Sequence, residues 1–221
     1  MKSSKKLTFI DLFAGCGGLS EGFLQTGMFE GIAHVEWELP MVETLRHRLS
    51  TKWKHTSDES KKSVIHFDIQ KTNELIDGNW SEESIAKFGK TNHEQITQHG
   101  IKSLTKDKEI DVIIGGPPCQ GFSNANRQRI INDPRNKLYK YFISAVKKIN
   151  PKIVVMENVK GMYPYAEQVK KDFNNINPQL TKFQIDSVIA LYSSGQIKEA
   201  INEVKSLNNE FPNVPILFNI L

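Results

Sequence analysis

Long apolar runs are missing from this sequence, and cysteine is scarce. No stretch approaches the roughly 18 consecutive apolar residues of a membrane-spanning helix, and the lysines near the start run into Asp11 without the apolar core of a signal peptide. Only Cys16 and Cys119 occur, each in a run rich in glycine or proline, which disfavours a disulfide scaffold. We therefore expect a soluble, cytoplasmic protein with reduced thiols.

A strong excess of one charge is also lacking. The 221 residues include 29 basic and 25 acidic side chains, for a net charge of +4, and 38% of the residues are hydrophobic. This composition excludes a disordered or collagen-like chain and fits one globular domain, alone or with a small module. The small basic excess permits a polyanionic partner without identifying one.

Short apolar runs alternate with helix-length segments over the first 160 residues. This alternation predicts an α/β fold with a doubly wound, mostly parallel sheet. Residues 70–108 are polar and weakly periodic, so no element is predicted there. The predicted strands are 7–12, 32–37, 64–69, 109–116 and 151–159, and the clearest predicted helix is 136–149.

The segment GGPPCQGFS, at 115–123, directly follows the fourth predicted strand. Its glycines allow a sharp turn, and its two prolines stiffen the approach to Cys119. Ligands of open α/β sheets bind at the carboxyl ends of the strands. The segment therefore predicts a nucleophilic thiol, although a lone cysteine could also be a buried structural residue.

The fifth predicted strand ends in ENV, at 157–159. Glu157 follows Cys119 by 38 residues, about one strand–helix–strand unit. Neighbouring parallel strands would therefore bring both side chains to the same rim of the sheet. Taken alone, Glu157 could equally be a solvated acid at the end of a strand.

The glycine-rich segment DLFAGCGGLS, at 11–20, follows the first predicted strand. Such a turn brings the backbone close to a nucleotide-like ligand, and its glycine spacing differs from dinucleotide and phosphate-loop patterns, which favours a nucleoside without phosphates. Glu36 would then accept from ribose hydroxyls, Trp37 would cover an adenine face, and Asp68 would meet the adenine amino group. Each of these three residues also has an ordinary structural interpretation as a solvated acid, a core aromatic or a cap.

These segments, with DPRNKLYKYF at 133–142, resemble signature blocks of the cytosine carbon-5 DNA methyltransferases, over residues 7–172. The resemblance implies a Rossmann-like fold, S-adenosylmethionine as methyl donor, and DNA as partner in a restriction-modification role. The target cytosine would be flipped out of the duplex. Cys119 would attack carbon 6 of the base, and Glu157 would hold N3 protonated.

The resemblance also implies binding residues, and none of them is a metal ligand. Arg127 and Arg129 would contact DNA phosphates, unless they lie in an ordinary solvated loop. Cofactor contacts are implied for Asp11, Phe13, Ala14, Gly15, Gly17, Gly18, Leu19, Glu36, Trp37, Asp68, Ile69 and Pro117. Substrate contacts are implied for Pro118, Gln120, Ser123, Asn158, Val159, Arg127 and Arg129.

The segment after about residue 175 departs from the family pattern, because it contains no arginine and none of the later blocks. We therefore expect an incomplete catalytic domain at 1–175, weak or inactive alone, which a second polypeptide could complete. A short α-helical tail is expected at 178–221, as part of a tetratricopeptide repeat or as an ordinary helical hairpin. The repeat-like positions are Leu191, Gly195, Ala200, Val204, Leu207, Pro212, Phe218 and Leu221.

Two other functions remain open from the sequence. One is methylation of cytosine in transfer RNA, although that branch of the family usually has proline after the glutamine, where this chain has Gly121 after Gln120. The other is a catalytically silent chain that binds S-adenosylmethionine or a partner protein. In that case the repeat-like tail would be the interaction surface.

Overall fold

The computed structural model describes residues 6–106, 109–118, 138–158, 166–174 and 216–220. The chain divides into two compact units, the first spanning Met1–Gly115 and the second Gly116–Leu221. No helix within the five described stretches combines the length and the apolar composition that crossing a membrane requires.

Four parallel strands form the sheet of the first unit, in the order β3-β2-β1-β4. Helices connect the strands, as parallel pairing requires. The predicted doubly wound, mostly parallel α/β fold is confirmed. The strands are β1 (Leu7–Leu12), β2 (Phe29–Glu36), β3 (Val64–His66) and β4 (Val112–Gly115).

Strand β1 lies at the centre of this sheet. Phe9, Ile10 and Leu12 have no exposed surface, as the continuous apolar run predicts for a strand covered on both faces. The chain proceeds from β1 to β2 and β3 on one side and then returns to the other side of β1 as β4. This reversal creates a crevice at the carboxyl ends of β1 and β4, where ligands of doubly wound folds bind.

Three helices lie between β1 and β3: α1 (Gly18–Gln25), α2 (Leu39–Lys52) and α3 (Ser57–Ser63). Pro40 lies in the first turn of α2, where its missing N–H costs nothing. The buried side chains of α2 recur at helical spacing and pack into the core. They are Val42, Leu45 and Leu49.

Four short helices occupy the region where no element is predicted. None exceeds seven residues, so hydrophobic periodicity cannot reveal them. Buried apolar side chains such as Leu75, Phe88 and Ile96 hold them. These helices are α4 (Thr72–Asp77), α5 (Glu82–Phe88), α6 (Glu94–His99) and α7 (Lys102–Thr105).

Strand β3 is shorter than the predicted 64–69. The Asp68 carboxylate accepts a hydrogen bond from the Gln70 N–H at 2.9 Å, which begins a 3₁₀ helix over Ile69–Lys71. A side chain that satisfies a nearby backbone N–H favours a cap over continued strand pairing. The strand therefore ends at His66.

The described residues of the second unit include α8 (Leu138–Ile149), β5 (Ile153–Glu157), α9 (Ala166–Asn174) and β6 (Ile216–Ile220). The Tyr139 hydroxyl donates to the Asp172 carboxylate at 2.9 Å, which joins α8 to α9. The rings of Phe142 and Phe173 pack edge to face. Helix α8 and strand β5 agree with the predicted helix 136–149 and strand 151–159.

The predicted helical tail is wrong at residues 216–220. These residues form β6, which pairs in parallel with β5 from Ile153↔Ile216 to Glu157↔Ile220. An unpaired strand edge exposes a row of N–H and C=O groups, and pairing satisfies them. Pairing with β5 therefore makes this segment a strand, although the repeat-like spacing at Phe218 predicts a helix. Residues 175–215 lie outside the described part of the chain, so the rest of the predicted hairpin stays a prediction.

Candidate functional site

The turn after β1, residues 13–17, has left-handed backbone at Phe13, Gly15 and Gly17, with φ of +62°, +55° and +85°. Glycine adopts this conformation readily, whereas a non-glycine residue rarely does. A Cβ atom on Gly17 would lie 2.5 Å from the Leu45 Cδ1, so this position also requires close packing. A Cβ atom on Gly15 would meet nothing within 4 Å. The turn therefore leaves open space beside its backbone.

Glu36, the last residue of β2, holds this turn in place. Its Oε2 accepts from the Gly15 N–H at 2.7 Å, and its Oε1 accepts from the N–H groups of Trp37 and Glu38 at 2.8 Å each. Only 9% of Glu36 is exposed. A carboxylate accepts about four hydrogen bonds, and the described part of the chain supplies three of them to Glu36, which leaves one acceptor position there for a ligand hydroxyl. An acceptor of this kind fits a ribose hydroxyl, which would donate to it.

Trp37 follows Glu36 and remains 43% exposed. The Lys87 Nζ lies 4.1 Å from the centre of its ring, and the edge of Phe88 packs against it at 5.8 Å. The His66 Nε2–H donates to the Trp37 carbonyl at 2.9 Å and fixes the backbone. The aromatic ring is thus held at the rim of the sheet, where an apolar ligand face could stack on it.

The remaining predicted cofactor residues of the first unit surround the same rim. Ala14 is buried and its N–H donates to the Val35 carbonyl at 2.9 Å. Asp68 is half-buried with one oxygen in its cap, and Ile69 is buried. Gly18 is exposed, and Leu19 is half-buried at the start of α1. Their contacts with a cofactor stay predictions.

Asp11 differs from the other predicted cofactor residues because its carboxyl lies in the core, with no exposed surface. The Ser20 hydroxyl is 2.5 Å from the Asp11 Oδ2 and 2.8 Å from the His34 Nδ1. Ser20 and His34 are also fully buried. These three side chains therefore form a buried polar chain between β1, α1 and β2, in which the Asp11 Oδ1 and the His34 Nε2 have no hydrogen-bond partner among the described residues.

Burial controls the protonation of this chain. Desolvation raises the pKa of Asp11 to about 7, with the hydrogen bond from Ser20 opposing the rise, and desolvation lowers the pKa of His34 to about 3. The Ser20 hydroxyl has a single proton, so it can donate to only one of its two neighbours at a time. If Ser20 donates to an ionised Asp11, the His34 Nδ1 must donate to Ser20; if Asp11 is protonated, it can donate to Ser20, which then donates to Nδ1.

Glu157 ends β5 in the second unit and is half-buried. A Cβ atom built on Gly116 would lie 2.9 Å from its Oε2. Gly116 directly precedes the two prolines of the predicted catalytic loop. The predicted catalytic carboxylate therefore lies against the backbone that leads into this loop.

Asn158 provides a second connection in the same place. Its side-chain amide donates to the Pro117 carbonyl at 2.9 Å, and both residues are buried. Pro118 is half-buried beside them. The end of β5 therefore fixes the first part of the proline segment. Six predicted site residues lie outside the described residues: Cys119, Gln120, Ser123, Arg127, Arg129 and Val159.

Sequence reasoning missed four residues of these arrangements. Ser20 and His34 complete the buried chain, Lys87 contacts the Trp37 ring, and Gly116 contacts Glu157. The glycine and serine belong to the motifs quoted above, although their partners could not be identified. His34 and Lys87 belong to no motif, and only the fold brings them to these positions.

The parallel sheet and the helices between its strands define an α/β protein, in which the Glu36 carboxylate holds the glycine-rich turn. The family model for C-5 cytosine-specific DNA methylases matches residues 7–79 and 76–194. The chain belongs to this family, as the signature blocks indicate. The match continues past the predicted boundary at 175 and into the segment predicted as a helical tail.

Several curated relatives are similar to the chain. The type II methyltransferase M1.HphI of Haemophilus parahaemolyticus is 33% identical over 72% of this chain and 34% of its own length. M.Bpa9945I of Bacillus paralicheniformis is 29% identical over 92% and 55%. The DNA (cytosine-5)-methyltransferase PliMCI of Paracentrotus lividus is 30% identical over 74% and 9%. The chain thus spans about half or less of the length of these relatives.

Proposed function

We propose that this protein transfers a methyl group from S-adenosylmethionine to carbon 5 of cytosine in DNA. The observation that carries the proposal is the family match over residues 7–194, within which Glu36 and Glu157 occupy the carboxyl ends of parallel strands. The relatives named above are type II or DNA (cytosine-5)-methyltransferases, which supports DNA as the substrate.

The first unit would hold the cofactor. The free acceptor position on Glu36 suits a ribose hydroxyl, and the exposed ring of Trp37 suits an adenine face. The open space beside Gly15 leaves room for a ligand against the backbone. When bound, S-adenosylmethionine supplies an electrophilic methyl group. The roles of Phe13, Asp68 and Ile69 in the same pocket belong to this proposal.

Cys119 and Glu157 would carry the catalysis. The Cys119 thiolate would form a bond to carbon 6 of cytosine, which makes carbon 5 nucleophilic toward the methyl group. Glu157 would donate a hydrogen bond to N3 and offset the negative charge that the attack pushes into the ring. Loss of the carbon-5 proton then returns electrons to the ring and expels the Cys119 thiolate.

Asn158 and the two prolines would position the thiol. The hydrogen bond from Asn158 to the Pro117 carbonyl restricts the segment that leads to Cys119. Proline fixes φ at Pro117 and Pro118, which further limits the approach. We assign Gln120, Ser123, Val159, Arg127 and Arg129 to contacts with the flipped base and the DNA backbone, on the strength of the family resemblance alone.

Covalent trapping tests this proposal. The full chain is incubated with methyl-labelled S-adenosylmethionine and duplex DNA that contains 5-fluorocytosine, whose fluorine blocks the final elimination. We expect a denaturation-resistant adduct that carries the label. Cys119→Ser should abolish it, and Glu157→Gln should slow its formation by about 100-fold or more, because charge stabilisation at the ring is lost.

Two results would contradict the proposal. One is an adduct that persists in Cys119→Ser, since another nucleophile would then be responsible. The other is no adduct from a chain that binds S-adenosylmethionine, which would reject methyl transfer by this chain alone. The same duplex without fluorine serves as the control, because turnover then releases the enzyme.

A further inference from the structure

The ammonium group of Lys87 lies over the indole ring of Trp37. Its Nζ is 4.1 Å from the centre of that ring and 5.1 Å from the centre of the Phe88 ring. Both distances are within the roughly 6 Å over which a cation is attracted to the face of an aromatic ring. Among the described residues Lys87 makes no ion pair, and Glu83 on the same helix pairs with Lys71 at 3.0 Å instead. The described partners of this ammonium group are therefore two aromatic rings.

The backbone of Trp37 is fixed on both sides of the residue. Its N–H donates to the Glu36 Oε1 at 2.8 Å, and its carbonyl accepts from the His66 Nε2–H at 2.9 Å. The main freedom left to this residue is rotation of its side chain, and exposed side chains change rotamer readily. Trp37 is 43% exposed, so contacts at the ring itself decide its orientation.

The segment that carries Lys87 is tied to the same place. The Asn92 side chain donates to the His66 carbonyl at 2.8 Å and accepts from the His66 N–H at 3.0 Å. The Thr91 hydroxyl lies 2.8 Å from the His66 Nδ1. Because His66 also holds the Trp37 carbonyl, the backbone near Lys87 is fixed relative to the indole ring.

Two side chains of this segment restrict rotation of the indole ring. The rings of Phe88 and Trp37 pack at an angle of 66°. Phe88 is buried and also packs against Phe67 and His66, so it cannot move aside. Phe88 therefore limits the ring from one side, while the Lys87 ammonium group covers one face. A base would stack on the other face.

We propose that Lys87 is a positioning residue, which holds the Trp37 ring in the orientation on which the adenine of S-adenosylmethionine stacks. The inference rests on the proposed function and adds to its cofactor site a residue outside every signature segment. Lys87 acts through Trp37 and does not contact the cofactor. A ring that is already oriented loses less conformational freedom when the ligand binds, which raises the affinity.

Calorimetric titration of the full chain with S-adenosylmethionine tests this role. Lys87→Met removes the charge and keeps a side chain of similar length. It should weaken binding by roughly two- to fivefold, as expected for the loss of a cation–π contact at an exposed site. Lys87→Arg keeps a cation that can lie over the ring, so it should restore most of the affinity.

Lys90→Met is the matched control. Lys90 is exposed three residues further along, carries the same charge, and has no cation–π contact among the described residues. This variant should bind S-adenosylmethionine like the unsubstituted chain. A lysine that only favours the C-terminal end of α5 through its charge would instead leave the cofactor affinity unchanged in Lys87→Met as well.

A double-mutant cycle shows whether Lys87 acts through Trp37. Trp37→Leu should itself weaken cofactor binding, because it removes the aromatic surface. In that background Lys87→Met should cause no further loss, since no indole ring remains to be positioned. Indole fluorescence without cofactor gives a second measurement. Lys87→Met should change the emission of the free chain, and the change should vanish in the Trp37→Leu background.

Three results would overturn the proposal while S-adenosylmethionine still binds to the unsubstituted chain. They are equal affinities of Lys87→Met and Lys90→Met, a failure of Lys87→Arg to restore binding, and a loss in Lys87→Met that persists in the Trp37→Leu background. No binding of S-adenosylmethionine by the unsubstituted chain would instead overturn the proposed function together with the role of Lys87. The two failures are therefore distinguishable.

Discussion

Gly116 lies directly against Glu157: a Cβ atom at position 116 would be 2.9 Å from the Glu157 Oε2. The glycine opens the segment that leads to Cys119, and the carboxylate ends β5. Because residue 116 has no side chain, the Glu157 carboxylate can occupy its position without a steric clash. This contact relates two motifs that are 41 residues apart in the chain.

Gly116→Ala should separate catalysis from cofactor binding. The added methyl group must displace the Glu157 carboxylate, and a shift of about 1 Å in a catalytic group can cost about 100-fold in rate. We expect the single-turnover rate of methyl transfer to fall by that order while the affinity for S-adenosylmethionine stays unchanged. Gly22→Ala is the control, because a Cβ atom there meets nothing within 4 Å. Equal rates in the two variants would contradict this expectation.

Glu36→Gln should weaken binding of S-adenosylmethionine. The amide replaces a carboxylate oxygen that accepts from backbone N–H groups, and it brings an N–H₂ group against them. Hydrogen bonds to charged groups contribute about 1.5–3 kcal/mol, so the affinity should fall by about 10- to 100-fold in calorimetry. Glu38→Gln removes the same charge two residues away, on an exposed side chain, and should change the affinity little. If the two variants lose affinity equally, Glu36 has no specific role.

Ser20→Ala should destabilise the first unit. The change leaves the Asp11 Oδ2 and the His34 Nδ1 buried without their shared partner. An unsatisfied buried polar group costs about 1–3 kcal/mol, so we expect a loss of about 2–4 kcal/mol in the free energy of unfolding, measured with urea. Thr44→Ala removes an exposed hydroxyl that bonds only within its own helix and should cost little. A loss below about 1 kcal/mol for Ser20→Ala would show that the buried chain contributes little.

The same buried chain predicts two opposing pH dependences. Asp11 has a pKa of about 7 in the folded protein, against 3.8 when unperturbed, so between these values the folded state holds more protons and stability falls as pH rises. His34 has a pKa of about 3 against 6.5, so the unfolded state holds more protons and stability rises with pH in that window. Glu36 adds to the shift of Asp11, and His55 adds to that of His34.

Single substitutions should reveal each contribution. In His34→Gln, the free energy of unfolding should fall between pH 4.5 and 6.5, because the Asp11 contribution remains; in Asp11→Asn, it should rise. Each slope should approach at most about 1.4 kcal/mol per pH unit, and urea unfolding at three pH values measures it. The unsubstituted chain should lie between the two variants. Parallel slopes in the two variants would contradict the assignment.

The class of fold could be predicted correctly from the sequence, and the same signals place a site at the ends of the first and fourth strands, which stays a prediction. Continuous apolar runs such as 7–12 and 109–116 predict strands covered on both faces, and helix-length segments between them require parallel pairing. Glycines after the first strand and prolines after the fourth predict the two loops. These signals are local, since each depends on the conformational limits of neighbouring residues. The signature blocks also identified the family that the comparison confirmed.

Which side chains meet depends on how the chain folds. His34 and Ser20 share a hydrogen bond because β2 pairs beside β1, and Lys87 reaches Trp37 because short helices without detectable periodicity pack at the rim of the sheet. Residues 216–220 became a strand through pairing with β5, despite their repeat-like spacing. Each outcome depends on partners that are distant in the chain, and a local pattern carries no information about such partners until the chain has folded.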